Sequence, residues 1–285
     1  MTLAPGKVAV IGAGQMGAGI AQVFAQAGHE AAVVDVAPAQ LQKARSGIAA
    51  SIEKLSAKGK LAEPPAQVLG RLRFEESLEA CRSSQVVIEA APESEPLKRD
   101  LFARLAKIVP ADALVASNTS SISITRLGAA FGDAPRFLGI HFMNPVPLMA
   151  LVEVIAGLAT SEATVQRALS LVRELGKTPV LVRDAPGFVA NRVLMPMINE
   201  AVGALAEGVS DAAGIDTIMK LGCGHPMGPL ALADLIGLDT CLSILEVLHK
   251  EIGDPRYRPH PLLRRMIDAG RLGRKTGQGF FPYGA

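Results

Sequence analysis

Residues 7–36 decide how we expect the chain to fold, and they read KVAVIGAGQMGAGIAQVFAQAGHEAAVVDV. The apolar run at residues 8–11 is typical of a strand that is buried on both faces of a parallel sheet. Three glycines follow in the spacing G-x-G-x-x-G, then an apolar-faced helix at 19–27, then a second apolar run that ends at Asp35. This order predicts a strand–turn–helix–strand unit of the dinucleotide-binding type.

Each glycine of the turn has a physical role. Gly12 permits a tight turn out of the strand, and Gly17 lets the helix pack close to that strand. Gly14 has no Cβ, so a pyrophosphate can approach the backbone. The free N–H groups at the start of the helix favour phosphate binding, whereas a plain tight turn is the alternative interpretation of the same glycines.

The acid at the end of the second strand indicates which dinucleotide is bound. Asp35 lies 18 residues after Gly17, about where an acidic side chain accepts hydrogen bonds from the adenosine ribose. Its negative charge would repel a 2′-phosphate, and Val36 rather than an arginine follows it. We therefore predict NAD rather than NADP as the cofactor.

Composition and charge exclude several classes of protein. A chain of 285 residues forms one large domain or two ordinary ones. The formal net charge of +2, the lack of a basic run and the absence of tryptophan argue against a nucleic-acid partner. No apolar stretch is long enough to span a membrane, and we expect no metal site.

Cysteine usage and the first residues bear on location. The three cysteines, Cys81, Cys223 and Cys241, form no CxxC pair, and an odd number gives no complete disulfide framework. Residues 1–6 lack the charged segment and apolar core of a signal peptide. We therefore expect a cytoplasmic protein with reduced thiols.

The helix predicted at 38–58 carries basic residues on its polar side. Ser51, Lys54 and Lys58 are spaced i, i+3 and i+7, which places them on one helix face. Spacing alone leaves two interpretations open, an anion site and an ordinary solvated lysine face. The apolar face of this helix is expected to comprise Leu41, Ala44, Ile48 and Leu55.

Two loops are predicted to lie at the carboxyl edge of the sheet, where open α/β sheets bind ligands. The strand at 85–90 leads into a loop with Glu93 and Lys98, and both residues are candidates for cofactor contact. In the alternative interpretation, Glu93 is a charge at the start of a helix and Lys98 is a surface lysine. The strand at 114–116 leads into the five polar residues 117–121, which suit a helix cap or a polar ligand.

A histidine and a glutamate occur in neighbouring apolar strands. A strand at 136–140 ends in His141, and the strand at 151–155 contains Glu153 among aliphatic residues. A buried carboxylate requires a partner, and His141 is the candidate. A histidine packed in the core is the alternative interpretation.

Beyond residue 184 the predicted structure is helical throughout. We expect an NAD-binding domain with a helical insertion at 1–184 and an all-helical second domain at 185–285. We predict helices at 188–207, with Asn191 near its start, at 210–221 with Ser210 as N-cap, and at 230–252. The basic, glycine-rich tail at 273–280 is expected to pack onto the domain. A helical domain of this small size has a thin hydrophobic core, so we expect it to bury apolar surface against a second copy of the chain.

Together these motifs resemble the L-3-hydroxyacyl-CoA dehydrogenase family, most closely the bacterial 3-hydroxybutyryl-CoA dehydrogenases. The resemblance covers nearly the whole chain and rests on VAVIGAGQMGAGIAQ, SNTSSISIT, GIHFMNPVPLMALVEVI, APGFVANR, PMINEA, HPMGPL and GRKTGQGFF. It implies a Rossmann-like, doubly wound, mostly parallel α/β sheet followed by an all-α domain. The family has a phenylalanine where this chain has Met143.

The resemblance also implies the site residues. It places the catalytic roles on His141 with Glu153, Ser120 and Asn191. Cofactor contacts fall on Gly12, Ala13, Gly14, Gln15, Met16, Gly17, Asp35, Glu93, Lys98, Ser120, Asn144 and Lys275. Coenzyme A contacts fall on Ser51, Lys54, Lys58 and Ser120. The resemblance thus implies that the helical insertion of the domain at 1–184 contacts coenzyme A and that the domain at 185–285 serves substrate binding and dimerisation.

The implied reaction is the reversible NAD-dependent oxidation of a (3S)-3-hydroxyacyl-CoA, with His141 as the base. The implied partners are an acyl-CoA substrate and a second copy of the chain, with neither nucleic acid nor membrane. Two alternatives stay open: a dehydrogenase of a free hydroxy acid or sugar acid, and a non-catalytic NAD-binding protein.

Overall fold

The structure is a computed structural model that describes residues 6–284. The expectation that no signal peptide begins the chain rests largely on residues 1–5, which lie outside the described residues. The chain separates into two compact units, the first ending at Asp184 and the second beginning at Ala185.

The first unit is built on one eight-stranded sheet with the order β3-β2-β1-β4-β5-β6-β7-β8. All neighbouring strands are parallel except β6 and β7, which are antiparallel. The strands are β1 (Lys7–Ile11), β2 (Glu30–Val34), β3 (Leu72–Glu75), β4 (Val86–Glu89), β5 (Leu114–Ser117), β6 (Phe137–Phe142), β7 (Leu151–Ala156) and β8 (Thr178–Arg183). The predicted doubly wound, mostly parallel sheet is confirmed, because the strand order reverses between β1 and β4.

Helices connect these strands. They are α1 (Gln15–Gln26), α2 (Pro38–Ser56), α3 (Pro65–Gly70), α4 (Glu95–Leu105), α5 (Ile124–Phe131) and α6 (Glu162–Glu174). The central strands β4, β5 and β6 are buried at every residue, which explains why they read as continuous apolar runs rather than as alternating patterns.

The predicted apolar face of α2 is buried at three of its four residues. Leu41, Ala44 and Ile48 are buried as predicted, the fourth fully buried position is Ile52, and Leu55 is partly buried. Ile52 and Leu55 lie four and seven residues after Ile48, so both continue its face, and Leu55 lies in the last turn of the helix.

The second unit is all-helical, as predicted. Its helices are α7 (Ala190–Ala206), α8 (Ala212–Gly222), α9 (Pro229–Ile236), α10 (Leu238–Ile252) and α11 (Pro261–Asp268). The single helix predicted at 230–252 is wrong, because the chain breaks at Gly237, where φ is +103°. The predicted N-cap is also wrong: the side chain of Asp211, not Ser210, accepts the Gly214 N–H at the start of α8.

The cysteines bind no disulfide partner among the described residues. Cys81 and Cys241 are buried, and burial raises the pKa of each thiol to about 12. Cys241 is therefore an inert core residue. Within residues 6–284, no helix combines the length and apolarity that a membrane span requires.

Candidate active site

The glycine turn joins β1 to α1 as predicted. Gly12 has φ +104°, and a Cβ there would lie 2.5 Å from the Ala90 carbonyl oxygen. A Cβ on Gly17 would lie 1.8 Å from the Gly12 carbonyl oxygen, so only glycine allows the helix this close to the turn. Gly14 is the N-cap of α1 and faces open space within 4 Å. The turn thus has the shape of a phosphate cradle that any side chain would fill.

Asp35 is attached to this turn. Its Oδ2 accepts the Ala13 N–H at 2.8 Å, and its Oδ1 accepts the Ala37 N–H at 2.9 Å. A carboxylate has about four acceptor positions, so both oxygens keep capacity for ribose hydroxyls. Along the turn, Gln15 is exposed, whereas the Met16 side chain packs against the core of the sheet.

Glu89 and Lys98 form an ion pair where the strand order reverses. Glu89 is the last residue of β4, opposite Ile11 on one side and Ser117 on the other. Its carboxylate accepts from Lys98 Nζ at 2.5 Å, from the Ala91 N–H at 2.6 Å and from Ser117 Oγ at 2.5 Å. Burial raises the pKa of Glu89, and the Lys98 charge acts in the opposite direction.

Lys98, predicted as a surface lysine or a cofactor contact, is only 1 % exposed. Its ammonium donates to Glu89 and to the Ala91 carbonyl at 3.0 Å and lies 3.4 Å from Glu93 Oε2. Because an ammonium has three donors, these groups occupy it. The surface interpretation is therefore wrong: Lys98 lies beneath the loop that follows β4.

Glu93 organises the polar loop after β5. Its Oε1 accepts from Thr119 Oγ1 at 2.6 Å, from the Ser120 N–H at 3.0 Å and from Ser121 Oγ at 3.0 Å. Ser120 Oγ lies 3.3 Å from the same oxygen. Burial acts to raise the pKa of Glu93, but the Lys98 charge and these donors together lower it. The cap of the next helix, α5, is Ser123, which lies outside the run of five polar residues.

His141 and Glu153 pair across neighbouring strands, as predicted. They are opposite each other in the antiparallel β6–β7 ladder, and His141 Nδ1 lies 2.8 Å from Glu153 Oε2. His141 is 8 % exposed and Glu153 is 2 % exposed. His141 lies within β6 rather than after its end, because the pairing with β7 continues through Phe142. A carboxylate at Nδ1 fixes the orientation of the ring and directs its proton chemistry to Nε2.

A groove of about 590 Å³ runs from the glycine turn along α1 and α2. Its walls include Gly14 and Gln15 of the turn and Asn144 of the loop after β6. On α2 the groove is lined by Lys43, Gly47 and Ser51, which are spaced one helical turn apart. The groove therefore connects three parts of the first unit that the sequence predicted to contact ligands.

Lys54 and Lys58 lie outside this groove lining. The prediction that they share a helix face with Ser51 is wrong for Lys58, because α2 ends at Ser56 and Lys58 lies in the turn that follows. Both lysines are exposed.

A second buried lysine holds the loop between β6 and β7. Lys177 Nζ donates to the carbonyl oxygens of Val146 and Met149, each at 2.7 Å. Burial lowers its pKa. This loop contains Asn144, so Lys177 stabilises one wall of the groove.

In the second unit, Asn191 and Lys275 belong to separate elements. Asn191 is 9 % exposed in the first turn of α7. Lys275 lies in the tail and pairs with Asp239 at 2.5 Å. The tail packs onto its unit, as predicted, since the buried Asp234 carboxylate accepts the N–H groups of Phe280 and Phe281, each at 3.0 Å.

Sequence reasoning missed the buried ion pair of Glu89, the position of Lys43 in the groove and the loop contacts of Lys177. A signal existed for Glu89, a carboxylate at the end of an apolar strand, which is the same signal that identified Glu153. No local pattern marks Lys177, because its partners lie about 30 residues away. Across residues 6–284, no cluster of His, Cys, Asp or Glu could hold a metal ion.

Comparison with known families agrees with this geometry. Residues 7–185 match the family described as "3-hydroxyacyl-CoA dehydrogenase, NAD binding domain". Residues 187–283 match the family described as "3-hydroxyacyl-CoA dehydrogenase, C-terminal domain". The two matches include every predicted site residue.

Individual relatives are similar over nearly their whole lengths. A Deinococcus radiodurans protein described as "Probable 3-hydroxybutyryl-CoA dehydrogenase" is 53% identical over 277 residues, which cover 97% of this chain and 100% of the relative. The 3-hydroxybutyryl-CoA dehydrogenase of Bradyrhizobium diazoefficiens is 50% identical over 97% of this chain and 95% of its own. The crystal structure of (S)-3-hydroxybutyryl-CoA dehydrogenase from Ralstonia eutropha superposes with a TM-score of 0.94 at 48% identity, covering 99% of this chain and 100% of that one. The chain therefore belongs to the 3-hydroxyacyl-CoA dehydrogenase family of NAD-dependent oxidoreductases.

Proposed function

We propose that the protein oxidises (3S)-3-hydroxybutyryl-CoA to acetoacetyl-CoA with NAD⁺ and catalyses the reverse reduction. The observation that carries this proposal is the pair of His141 and Glu153, joined at 2.8 Å and buried in the unit that bears the glycine turn. A protein that only binds NAD has no need of an imidazole held by a buried carboxylate.

The proton chemistry follows from the orientation of the His141 ring. In the oxidation, Nε2 takes the proton of the 3-hydroxyl group, and Glu153 at Nδ1 stabilises the imidazolium that forms. In the reduction, the same nitrogen returns that proton. Ser120 and Asn191 are proposed to hydrogen-bond the reacting oxygen, and one such donor is typically worth about 3 kcal/mol in the transition state.

The residues of the first unit suit NAD. When bound, NAD supplies the hydride acceptor for C3 of the substrate. Open space at Gly14 and the N–H groups at the start of α1 suit the pyrophosphate, and Asp35 suits the ribose hydroxyls. Glu93, Asn144 and Lys275 are proposed as further contacts, whereas Lys98 is proposed to support the loop from beneath.

The groove along α2 favours a CoA ester over a free hydroxy acid. Its lining extends from the glycine turn to Ser51 of α2, and Lys43 is the one charged residue in its described lining. A small acid has no use for such a groove, whereas the pantetheine arm of CoA does. Ser51, Lys54 and Lys58 are proposed to contact the CoA moiety, with the two exposed lysines near its phosphates.

The decisive assay follows NADH absorbance during the reduction of acetoacetyl-CoA. We expect turnover with acetoacetyl-CoA and NADH, a much lower rate with NADPH, and a much lower rate with free acetoacetate. Equal rates with the CoA ester and the free acid would favour the free hydroxy acid alternative. Binding of NADH without any turnover would favour a non-catalytic NAD-binding protein.

We further propose that the protein is a homodimer formed through its C-terminal helices. Val193, Ile218 and Leu221 of the second unit are 68%, 61% and 83% exposed, and large apolar residues are costly to leave in water. Light scattering coupled to gel filtration tests this, and a monomer at micromolar concentration contradicts it. The cytoplasmic location remains a proposal that cell fractionation tests.

A further inference from the structure

Glu89 is a charged residue that the proposed reaction does not use. It is fully buried, and burying a carboxylate is costly unless it is paired. Its three described donors come from three places: Lys98 on α4, the Ala91 N–H on the loop after β4, and Ser117 at the end of β5. Glu89 therefore ties together the segments that surround the point where the strand order reverses.

The contacts continue from Glu89 toward Ser120. Lys98 lies between two carboxylates, with its ammonium bound to Glu89 and 3.4 Å from Glu93 Oε2. The other oxygen of Glu93 accepts from the backbone and side chains of the loop that carries Ser120. Lys98 is thus closer to Glu89 than to Glu93, and Glu93 Oε1 holds this loop.

We propose that Glu89 is a positioning residue for Ser120, acting through Lys98 and Glu93. This inference rests on the proposed function, in which the Ser120 hydroxyl contacts the reacting oxygen. When Glu89 is neutralised, the Lys98 ammonium draws the Glu93 carboxylate toward itself. Glu93 Oε1 then moves away from the Ser120 N–H, and the hydroxyl loses its orientation.

The test is a double-mutant cycle. Glu89→Gln should lower kcat for acetoacetyl-CoA reduction by about 10- to 100-fold, as a displaced catalytic donor does, with little change in KM for the ester. In a Ser120→Ala background the same substitution should change kcat by less than about two-fold, because no hydroxyl remains to be positioned. Asp100→Asn, which neutralises an exposed carboxylate on the same helix, is the matched control and should keep the wild-type kcat.

Three results overturn the proposal. They are an unchanged kcat in Glu89→Gln, fold-changes that multiply in the double variant, and a wild-type kcat in Ser120→Ala. If Glu89→Gln does not fold, Ser117→Ala removes one donor to the same carboxylate and should show a smaller loss with the same dependence on Ser120.

A direct structural measurement separates this proposal from the proposed function. Crystal structures of the wild type and of Glu89→Gln should differ by about 1 Å or more at Ser120 Oγ. A wild-type protein without turnover of acetoacetyl-CoA would contradict the proposed function, and the position of Ser120 would still test the role of Glu89. An unmoved Ser120 overturns it.

Discussion

The first unit buries two strand carboxylates, and it pairs them in opposite ways. Glu153 lies against the imidazole of His141, a type of group that serves as acid and base in catalysis. Glu89 lies against the ammonium of Lys98, which only donates hydrogen bonds. Both carboxylates are at most 2 % exposed, so both need a partner.

The difference shows what each pair can do. A carboxylate beside an imidazole can stabilise a cation that forms during a reaction, so the His141 pair suits proton transfer. A carboxylate beside a buried ammonium holds two segments of the chain together, so the Glu89 pair suits the positioning of loops. The same cost of burial is thus met once by a reactive pair and once by a structural one.

The largest effect is expected when the reactive pair loses its imidazole. His141→Gln should lower kcat for acetoacetyl-CoA reduction by about 10²- to 10⁴-fold, the usual contribution of a general acid–base group. The Kd for NADH, measured by fluorescence titration, should stay within about two-fold of the wild type, because the glycine turn is unaltered. His249→Gln, a change elsewhere in the chain, should keep full activity. Undiminished turnover in His141→Gln would remove this residue from the mechanism.

Stability should distinguish the two carboxylates more clearly than activity does. Glu89→Gln leaves a buried ammonium poorly compensated, so we expect a loss of about 3 kcal/mol in the free energy of unfolding. Glu153→Gln leaves the imidazole facing an amide that can still accept a hydrogen bond, so we expect a loss of about 1 kcal/mol. Urea denaturation at neutral pH measures both. Equal losses would show that the two pairs are not different in kind.

The sequence predicted the reactive pair better than the structural one, and the reason is local. LVEVI contains an isolated carboxylate, and the polar residue that ends the preceding strand offered a partner. VVIEA contains the same signal, but Lys98 was interpreted by its position at a sheet edge, where a cofactor contact or a surface residue was expected. A fixed ion pair is visible only once helix α4 is packed onto the sheet.

Most of the fold was predictable because its signals in the sequence are also local. Strands buried on both faces leave apolar runs, and the spacing of the glycines fixes the first turn. The break at Gly237 was not predictable, because the helical period of α9 continues into α10 with apolar residues on both sides. Only the positive φ of Gly237 separates the two helices. The sequence pattern likewise did not show that α2 ends at Ser56, before Lys58.

The groove provides a site where binding should change while both pairs stay intact. Gly47 lies in the middle of α2, and the place where its Cβ would be is open. Gly47→Leu should raise KM for acetoacetyl-CoA by about 10-fold with little change in kcat, since the ester arm loses space. Its helix should become more stable by about 1 kcal/mol, because glycine is a poor helix former.

Two controls isolate the CoA arm. The short thioester of acetoacetate with N-acetylcysteamine lacks most of the CoA moiety, so its KM should be the same for Gly47→Leu and the wild type. Gly70→Leu places the same side chain at an exposed glycine of α3 outside the groove. This substitution should leave the KM for both thioesters unchanged. A KM increase for both thioesters in Gly47→Leu would show that the groove does not serve the CoA arm.

The smallest expected effect concerns a second buried histidine, His29, which can be compared with His141. His29 Nδ1 accepts the Gly6 N–H at 3.2 Å, where His141 Nδ1 faces a carboxylate. Burial lowers the pKa of His29, and the Glu174 charge acts in the opposite direction. The folded protein therefore binds this proton less readily than the unfolded chain does, whose histidine has a pKa near 6.5.

The sign of the pH dependence follows. Above about pH 6.5 the histidine is neutral in both states, and its contribution to stability is complete. As the pH falls from 6.5 toward the lower folded pKa, only the unfolded chain takes up the proton, so the free energy of unfolding should fall by at most about 1.4 kcal/mol per pH unit. His29→Gln should remove this slope, as measured by urea denaturation between pH 5 and 7. If the slope persists in the variant, it belongs to other groups, and the contrast between a histidine held by a carboxylate and one whose pKa is set by burial loses its support.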